Sequence, residues 1–327
     1  MTQKITLSPT SKLPSARQEF LLPGLIAHAG EKAQMRFWEF FTVNIRNPHT
    51  RRAYYNGVAQ FFTWCSQHGI ELEGIQPMIV AAYIEELQKT VSKPTVKQHL
   101  AAIRMLFDWM IVGQIIPYNP ASAVRGPKYV VKKGKTPVLE ASDTRTLLDS
   151  IDTSHVVGLR DRALITVMTF SFARISAVLA MNVGDYYPTG GHRMMLRLRE
   201  KGGKLHEVPA HHTINEYLAA YLESSELTDT KAPLFQSTRG QSRKLTGKRF
   251  DQSSAWYMIR RRCVDAGINI DVCNHTFRAT GITNFLANGG KIEDAAAIAG
   301  HESPRTTKLY DRTGEKITLD EIERVRI

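Results

Sequence analysis

The chain has 327 residues, a hydrophobic fraction of 43% and a formal charge of +12. That length points to two domains, and the positive balance points to an anionic partner, most often nucleic acid. Three cysteines (Cys65, Cys263, Cys273), no CxxC pair beside His275 and no long apolar run argue against a disulfide scaffold, a zinc site and a membrane span.

Residues 1–20 are polar and interrupted by Ser8-Pro9 and Leu13-Pro14, as in a flexible tail. The spacing of Phe37, Phe40, Phe41 and Asn44 predicts a helix over 31–45. Asn47-Pro48 is a start signal, an N-cap followed by Pro at the first helical position. The helix it opens, 48–68, places Ala53, Val58, Phe61, Phe62 and Cys65 at helical intervals and ends at Gly69. A third helix is expected over 76–90. Ser92-Lys93-Pro94 caps a fourth over 95–112, whose inner side carries Val96, Leu100, Ile103, Leu106, Phe107 and Met110. Short connections make this a four-helix unit. Arg51, Arg52 and Tyr55 on its second helix, and Lys97, His99 and Arg104 on the outer side of its fourth, are the candidate phosphate contacts.

Between residues 118 and 137 the periodicity is lost. Asn119-Pro120, Gly126-Pro127 and a lysine-rich run read as a basic linker, with its core at 128–137. The second domain is expected over 138–327. A helix follows Ala141-Ser142-Asp143, and a strongly apolar one covers 159–170. Arg174-Ile175-Ser176 opens another. Two strand-like runs, 194–198 and 207–209, flank Lys201-Gly202-Gly203-Lys204 and predict a β-hairpin. Helices are expected over 214–224, 250–266 and 277–288, and Thr318-Leu319-Asp320-Glu321 is a capping box for a last short helix. The fold class is therefore mainly α with a small β-sheet, α+β. No GxxxxGK[ST] motif occurs.

The stretch 275–310 is the most informative. His275 and Arg278 are three apart and share a helix face. His301 follows Gly300, where a helix is expected to end. Tyr310 lies on the next short helix. Cleaving a phosphodiester without metal needs planar guanidinium donors for the charged non-bridging oxygens. Each such donor supplies on the order of 3 kcal/mol. It also needs an acid for the leaving oxygen and a nucleophile beside a base. These residue types meet that requirement.

Four segments, in chain order, resemble the tyrosine recombinases, or phage-type integrases. Phe172-Ala173-Arg174-Ile175-Ser176 resembles the first-arginine motif. Lys201-Gly202-Gly203-Lys204 resembles the hairpin with the catalytic lysine. His275-Thr276-Phe277-Arg278 is the His-x-x-Arg box, and 299–310 resembles the Gly-His segment leading to the nucleophile. The resemblance covers roughly residues 30–313. It implies that Arg174, Arg278 and His301 hold the scissile phosphate and that Lys201, with Lys204 as the neighbouring alternative, is the general acid. His275 would assist proton transfer, and Tyr310 would form a 3′-phosphotyrosyl bond. It further implies a SAM-like core-binding domain over 21–127 and a catalytic domain over 138–327. The enzyme would need no cofactor or metal and would act in the cytoplasm on a double-stranded DNA site. It would work as a homo-tetramer passing through a Holliday junction, each C-terminal helix docking on a neighbour. One departure stands out. The family often carries an acidic residue three after the first arginine, and here that position is Ala177. Glu200 and Asp185 are the carboxylates that could substitute. Two other readings share these residues: a DNA-binding-only regulator of the same fold, and a type IB topoisomerase-like enzyme that nicks and reseals. If about ten phosphates are neutralised per protomer, log affinity falls against log salt with a slope of roughly −9.

Overall fold

The computed structural model describes residues 20–131, 134–191, 193–240 and 242–312. The expected N-terminal tail, Phe20 apart, and the helix expected from Thr318 lie outside the described residues. The chain divides into two compact units, one through Val130 and one from Val131.

The first unit is helical: α1 Gly24–His28, α2 Glu31–Glu39, α3 Pro48–Gln67, α4 Pro77–Thr90 and α5 Lys93–Val112. The Asn47 side chain accepts from the backbone N–H groups of His49 and Thr50, so the predicted cap forms, a contact worth about 1 kcal/mol. The single helix expected over 31–45 is interrupted. A π-helical turn, Phe40–Asn44, follows α2. It lets Phe37, Phe40 and Phe41 all enter the core and leaves Asn44 exposed. Helix α5 begins two residues earlier than expected. Ser92 there bonds the Thr95 hydroxyl at 2.9 Å instead of capping the backbone. Interlocked rings of Phe37, Phe61, Phe62, Phe107 and Tyr83 fill the centre.

One of the candidate phosphate contacts is corrected by this packing. His99 is not on a solvated face. It is buried, hydrogen-bonded to the Tyr83 hydroxyl at 3.2 Å, and its ring lies against Gly57 of α3. Burial holds its imidazole below the ordinary value. Arg104 is half-buried. Its Nε donates to the Ala121 carbonyl at 3.0 Å and its Nη2 to that of Val124, because the irregular segment 119–124 has carbonyls that need donors. Arg51 and Tyr55 are partly committed in the same way. Arg51 Nε and Nη2 donate to the Ile45 carbonyl at 3.0 and 2.9 Å. The Tyr55 hydroxyl donates to Leu21 O at 2.6 Å and accepts from Leu21 N at 2.8 Å. Arg52 and Lys97 are exposed.

The second unit begins with α6 Ala141–Asp149, α7 Val156–Phe170 and α8 Ile175–Ala180. An antiparallel sheet follows, β1 Tyr186–Thr189, β2 Arg193–Arg199 and β3 Leu205–Pro209, in that order. Then come α9 His212–Ser225, a two-stranded pair β4 Gln236–Thr238 and β5 Leu245–Arg249, α10 Gln252–Asp265, α11 Asn274–Ala287, α12 Ile292–Ile298 and α13 Pro304–Lys308. The predicted hairpin is β2–β3. Leu196 faces Val208, and Leu198 faces His206, with both leucines buried. Gly202 and Gly203 take φ of 82° and 81° in its turn, a region glycine enters freely. Strand β1 and the β4–β5 pair are additions to the predicted hairpin, since their residues, YYPT, QST and LTGKR, carry no apolar alternation. Helix α7 is buried along nearly its whole length. It also holds a buried Arg160–Asp161 pair that Arg262 joins from α10 at 2.8 Å. Gly281 of α11 packs so close to α7 that a Cβ there would stand 1.9 Å from the Thr169 carbonyl. Among the described residues no helix is long and apolar enough to cross a membrane.

Candidate active site

Local backbone chemistry delivers each side chain. Helix α7 stops at Phe170, and Phe172 takes a left-handed φ of 54°. That turn places Arg174 at the N-cap of α8. Its side chain is 32% exposed, so one side of the guanidinium stays open. Arg278 projects from the inner side of α11 with 1% of its side chain exposed. Its Nη1 donates to the Phe172 carbonyl and its Nη2 to the Ala299 carbonyl at 2.7 Å. One arginine thus ties the α7–α8 turn to the end of α12. Its Nε is buried with no hydrogen-bond partner among the described residues.

His275 sits in the first turn of α11. Its Nε2 lies 2.7 Å from the Tyr310 hydroxyl. His301 follows Gly300, whose φ is 59°. Its Nδ1 is 2.8 Å from the Thr307 hydroxyl, and its ring lies nearly parallel to that of Tyr310, at 10° and 5.9 Å between centroids. Tyr310 ends α13. Its backbone carbonyl accepts from Thr283 Oγ1 at 3.0 Å, and the Leu309 carbonyl accepts from Gly134 N at 2.9 Å. Its ring rests on a small apolar cluster of Phe172, Ile282, Leu286, Ala295 and Ala299.

The electrostatics follow from this crowding. His301 is pushed down to about 4, by burial first and then by the positive charges of Arg278, Arg174 and His275. His275 keeps an open face, yet desolvation of its ring comes first, and Arg278 and Arg174 add to it. Both causes hold it below the ordinary histidine value. A neutral imidazole can accept a proton from the phenol at 2.7 Å. Arg278 is also lowered, by burial first and then by Arg174, with Glu200 opposing. A guanidinium remains charged even so.

Five of the six candidate residues therefore meet: Arg174, His275, Arg278, His301 and Tyr310. For the sixth, Lys201, the backbone lies in the β2–β3 turn and the side chain lies outside the description. Lys204 in the same turn is exposed. Of the two carboxylates considered as substitutes, Asp185 is occupied elsewhere, accepting from Asn182 N at 2.9 Å. Glu200 reaches the site: its Oε2 meets Arg174 Nη1, and its Oε1 is 4.0 Å from Arg278 Nη1. Sequence reasoning missed Thr283 and Thr307. Each is a hydroxyl within a helical segment, and nothing in its local pattern marks it out. Cys273 sits at the start of α11, where its N–H donates to Thr276 Oγ1 at 3.1 Å and its Sγ lies 3.6 Å from the same hydroxyl.

Residues 137–316 match the model of the phage integrase family, and residues 36–113 match the phage integrase N-terminal SAM-like domain. A tyrosine recombinase XerC from Chlamydia muridarum (strain MoPn / Nigg) is 30% identical over 234 residues, covering 72% of this chain and 71% of that protein. A tyrosine recombinase XerC from Thermodesulfovibrio yellowstonii is 26% identical over 280 residues, covering 83% and 88%. In fold, the chain is similar to XerH site-specific recombinase bound to its difH substrate. The TM-score is 0.64 at 20% identity, over 84% of this chain and 78% of that one. It is also similar to a lambda integrase dimer bound to a COC′ core site, with a TM-score of 0.66 at 16% identity, over 87% and 79%. The chain belongs to the phage integrase family, and it is a tyrosine site-specific recombinase.

Proposed function

We propose that the chain cuts and rejoins a double-stranded DNA site through a 3′-phosphotyrosyl bond made by Tyr310. The observation that carries this reading is the 2.7 Å contact between the Tyr310 hydroxyl and His275 Nε2, beside the two arginines. The phenol oxygen attacks phosphorus while its proton passes to His275. The bond from phosphorus to the 5′ oxygen breaks, and Lys201, with Lys204 the alternative, protonates the leaving oxygen. Arg174, Arg278 and His301 bear the charge that builds on the non-bridging oxygens. The phosphotyrosine retains the bond energy, so a 5′ hydroxyl from a partner duplex can reverse the step without ATP.

The working assembly is a homo-tetramer that passes through a Holliday junction, with the segment after Tyr310 docking on a neighbour, in the cytoplasm. Residues 21–127 form the core-binding domain, 128–137 the linker and 138–327 the catalytic domain. Arg52 and Lys97 contact DNA phosphates, with Arg51 and Tyr55 holding the segment around them. A duplex nicked near the cleavage point tests the reading. A covalent adduct followed by joining to a partner duplex is the expected result. An adduct that leads only to relaxation marks a topoisomerase, and no adduct marks a DNA-binding regulator.

A further inference from the structure

The first-arginine motif lacks its usual carboxylate. Ala177, three residues after Arg174, is fully buried in the apolar core and has no group to offer. The two guanidiniums it would serve are nevertheless close: both face Glu200, and Arg174 adds to the lowering of Arg278. A carboxylate between them is what such a pair needs.

We propose that Glu200, from the β2–β3 turn, is the residue that positions Arg174 and Arg278 for the scissile phosphate. This inference rests on the recombinase reading above. The Glu200 side chain is 4% exposed. Its Oε2 meets Arg174 Nη1, and its Oε1, 4.0 Å from Arg278 Nη1, has no hydrogen-bond partner among the described residues. Arg278 Nε is likewise unpartnered. Buried polar atoms of this kind are rare unless a ligand or a function claims them.

The backbone holds Glu200 in that position. Its N–H donates to the Lys204 carbonyl at 2.8 Å, and its own carbonyl accepts from Gly203 N at 3.0 Å. The hairpin is pinned to the end of α12, just before His301. His206 Nε2 lies 2.9 Å from the Ile298 carbonyl, and a Cβ on Gly300 would stand 3.6 Å from Glu200 Cγ. Glu200 is also the neighbour of Lys201. One turn therefore carries the carboxylate that aligns the arginines and the lysine proposed as acid. The carboxylate comes from 26 residues away instead of three, but it reaches the same guanidiniums.

The test uses the full-length chain on nicked duplexes, comparing wild type, Glu200→Gln and Glu200→Asp. Single-turnover cleavage, DNA affinity and melting temperature are read together. Glu200→Gln should cleave roughly 10–100-fold more slowly, the usual cost of losing a partner that orients a working group, with DNA affinity unchanged. Glu200→Asp keeps the charge and should recover part of the rate. On a duplex whose scissile phosphate is a neutral methylphosphonate, the arginines have less charge to hold, so the Gln deficit should shrink. A purely structural role would lower melting temperature and slow both substrates equally. An equal deficit on both substrates, or wild-type cleavage by Glu200→Gln, overturns the proposal. Should Glu200→Gln not fold, the same comparison of substrates is made with Glu200→Asp, and an equal loss there overturns it too. Wild type forming no adduct would instead sink the recombinase reading, a separate result.

Discussion

The two units use their polar side chains differently. In the helical unit, the side chains singled out for DNA are largely bound to the unit's own atoms. Arg104 serves two carbonyls, Arg51 serves one, Tyr55 bridges both polar groups of Leu21, and His99 is enclosed beside Tyr83. In the second unit, His275 and Tyr310 pair with each other, and Arg174 meets Glu200 and keeps an open side. Arg278 does both jobs, clamping two carbonyls while its Nε has no partner among the described residues. A cation on a helix face is therefore ambiguous by itself, since backbone carbonyls attract the same donors that phosphates do. Convergence of several side chains from distant elements is the more discriminating sign.

That contrast can be broken by substitution. The largest effect is expected from Tyr310→Phe, which should bind DNA normally and form no covalent adduct on a nicked duplex; an adduct surviving in that variant would remove Tyr310 as nucleophile. Next, Arg278→Ala should lose roughly 10²–10³-fold in cleavage, as for one preorganised charge-stabilising donor. It should also lower stability, because the Phe172 and Ala299 carbonyls lose their donor, at about 1–3 kcal/mol for each one left buried. A loss of cleavage with no change in the urea midpoint would show that the clamp is not structural.

Acid should have a smaller, graded effect. His275 is held below its ordinary value, so it is neutral at pH 7 and charges only as the pH falls beneath the usual histidine range. Cleavage by wild type should decline there, and His275→Ala should flatten that limb. Stability moves in the same direction. With His301 down to about 4, the unfolded chain binds more protons than the folded one between about 6.5 and that value, so stability is lost as pH falls through the window. Urea midpoints measured across it check the sign. The smallest effects separate the two kinds of cation in the helical unit. Lys97→Ala should leave stability alone and reduce the salt slope of DNA binding by about 1. Arg104→Ala should do the reverse, lowering stability by about 1–3 kcal/mol with the salt slope intact.

What the amino-acid order determined by itself was local. The Asn47-Pro48 start of α3, the glycine turn of the β2–β3 hairpin and the apolar period of α5 depend on backbone chemistry within a few residues, and each is present. The order of the four motifs was equally legible, since it needs only residue identity. Three-dimensional packing decided the rest. The helix period placed His99 outside, but crowding against Gly57 and Tyr83 encloses it. Glu200 and Asp185 looked equivalent as substitutes for the acid missing at Ala177. They part only because Asp185 turns back onto Asn182, while the hairpin presses Glu200 toward Gly300 and the arginines. Such a choice depends on where side chains from remote segments meet, and no pattern confined to one segment contains that distance.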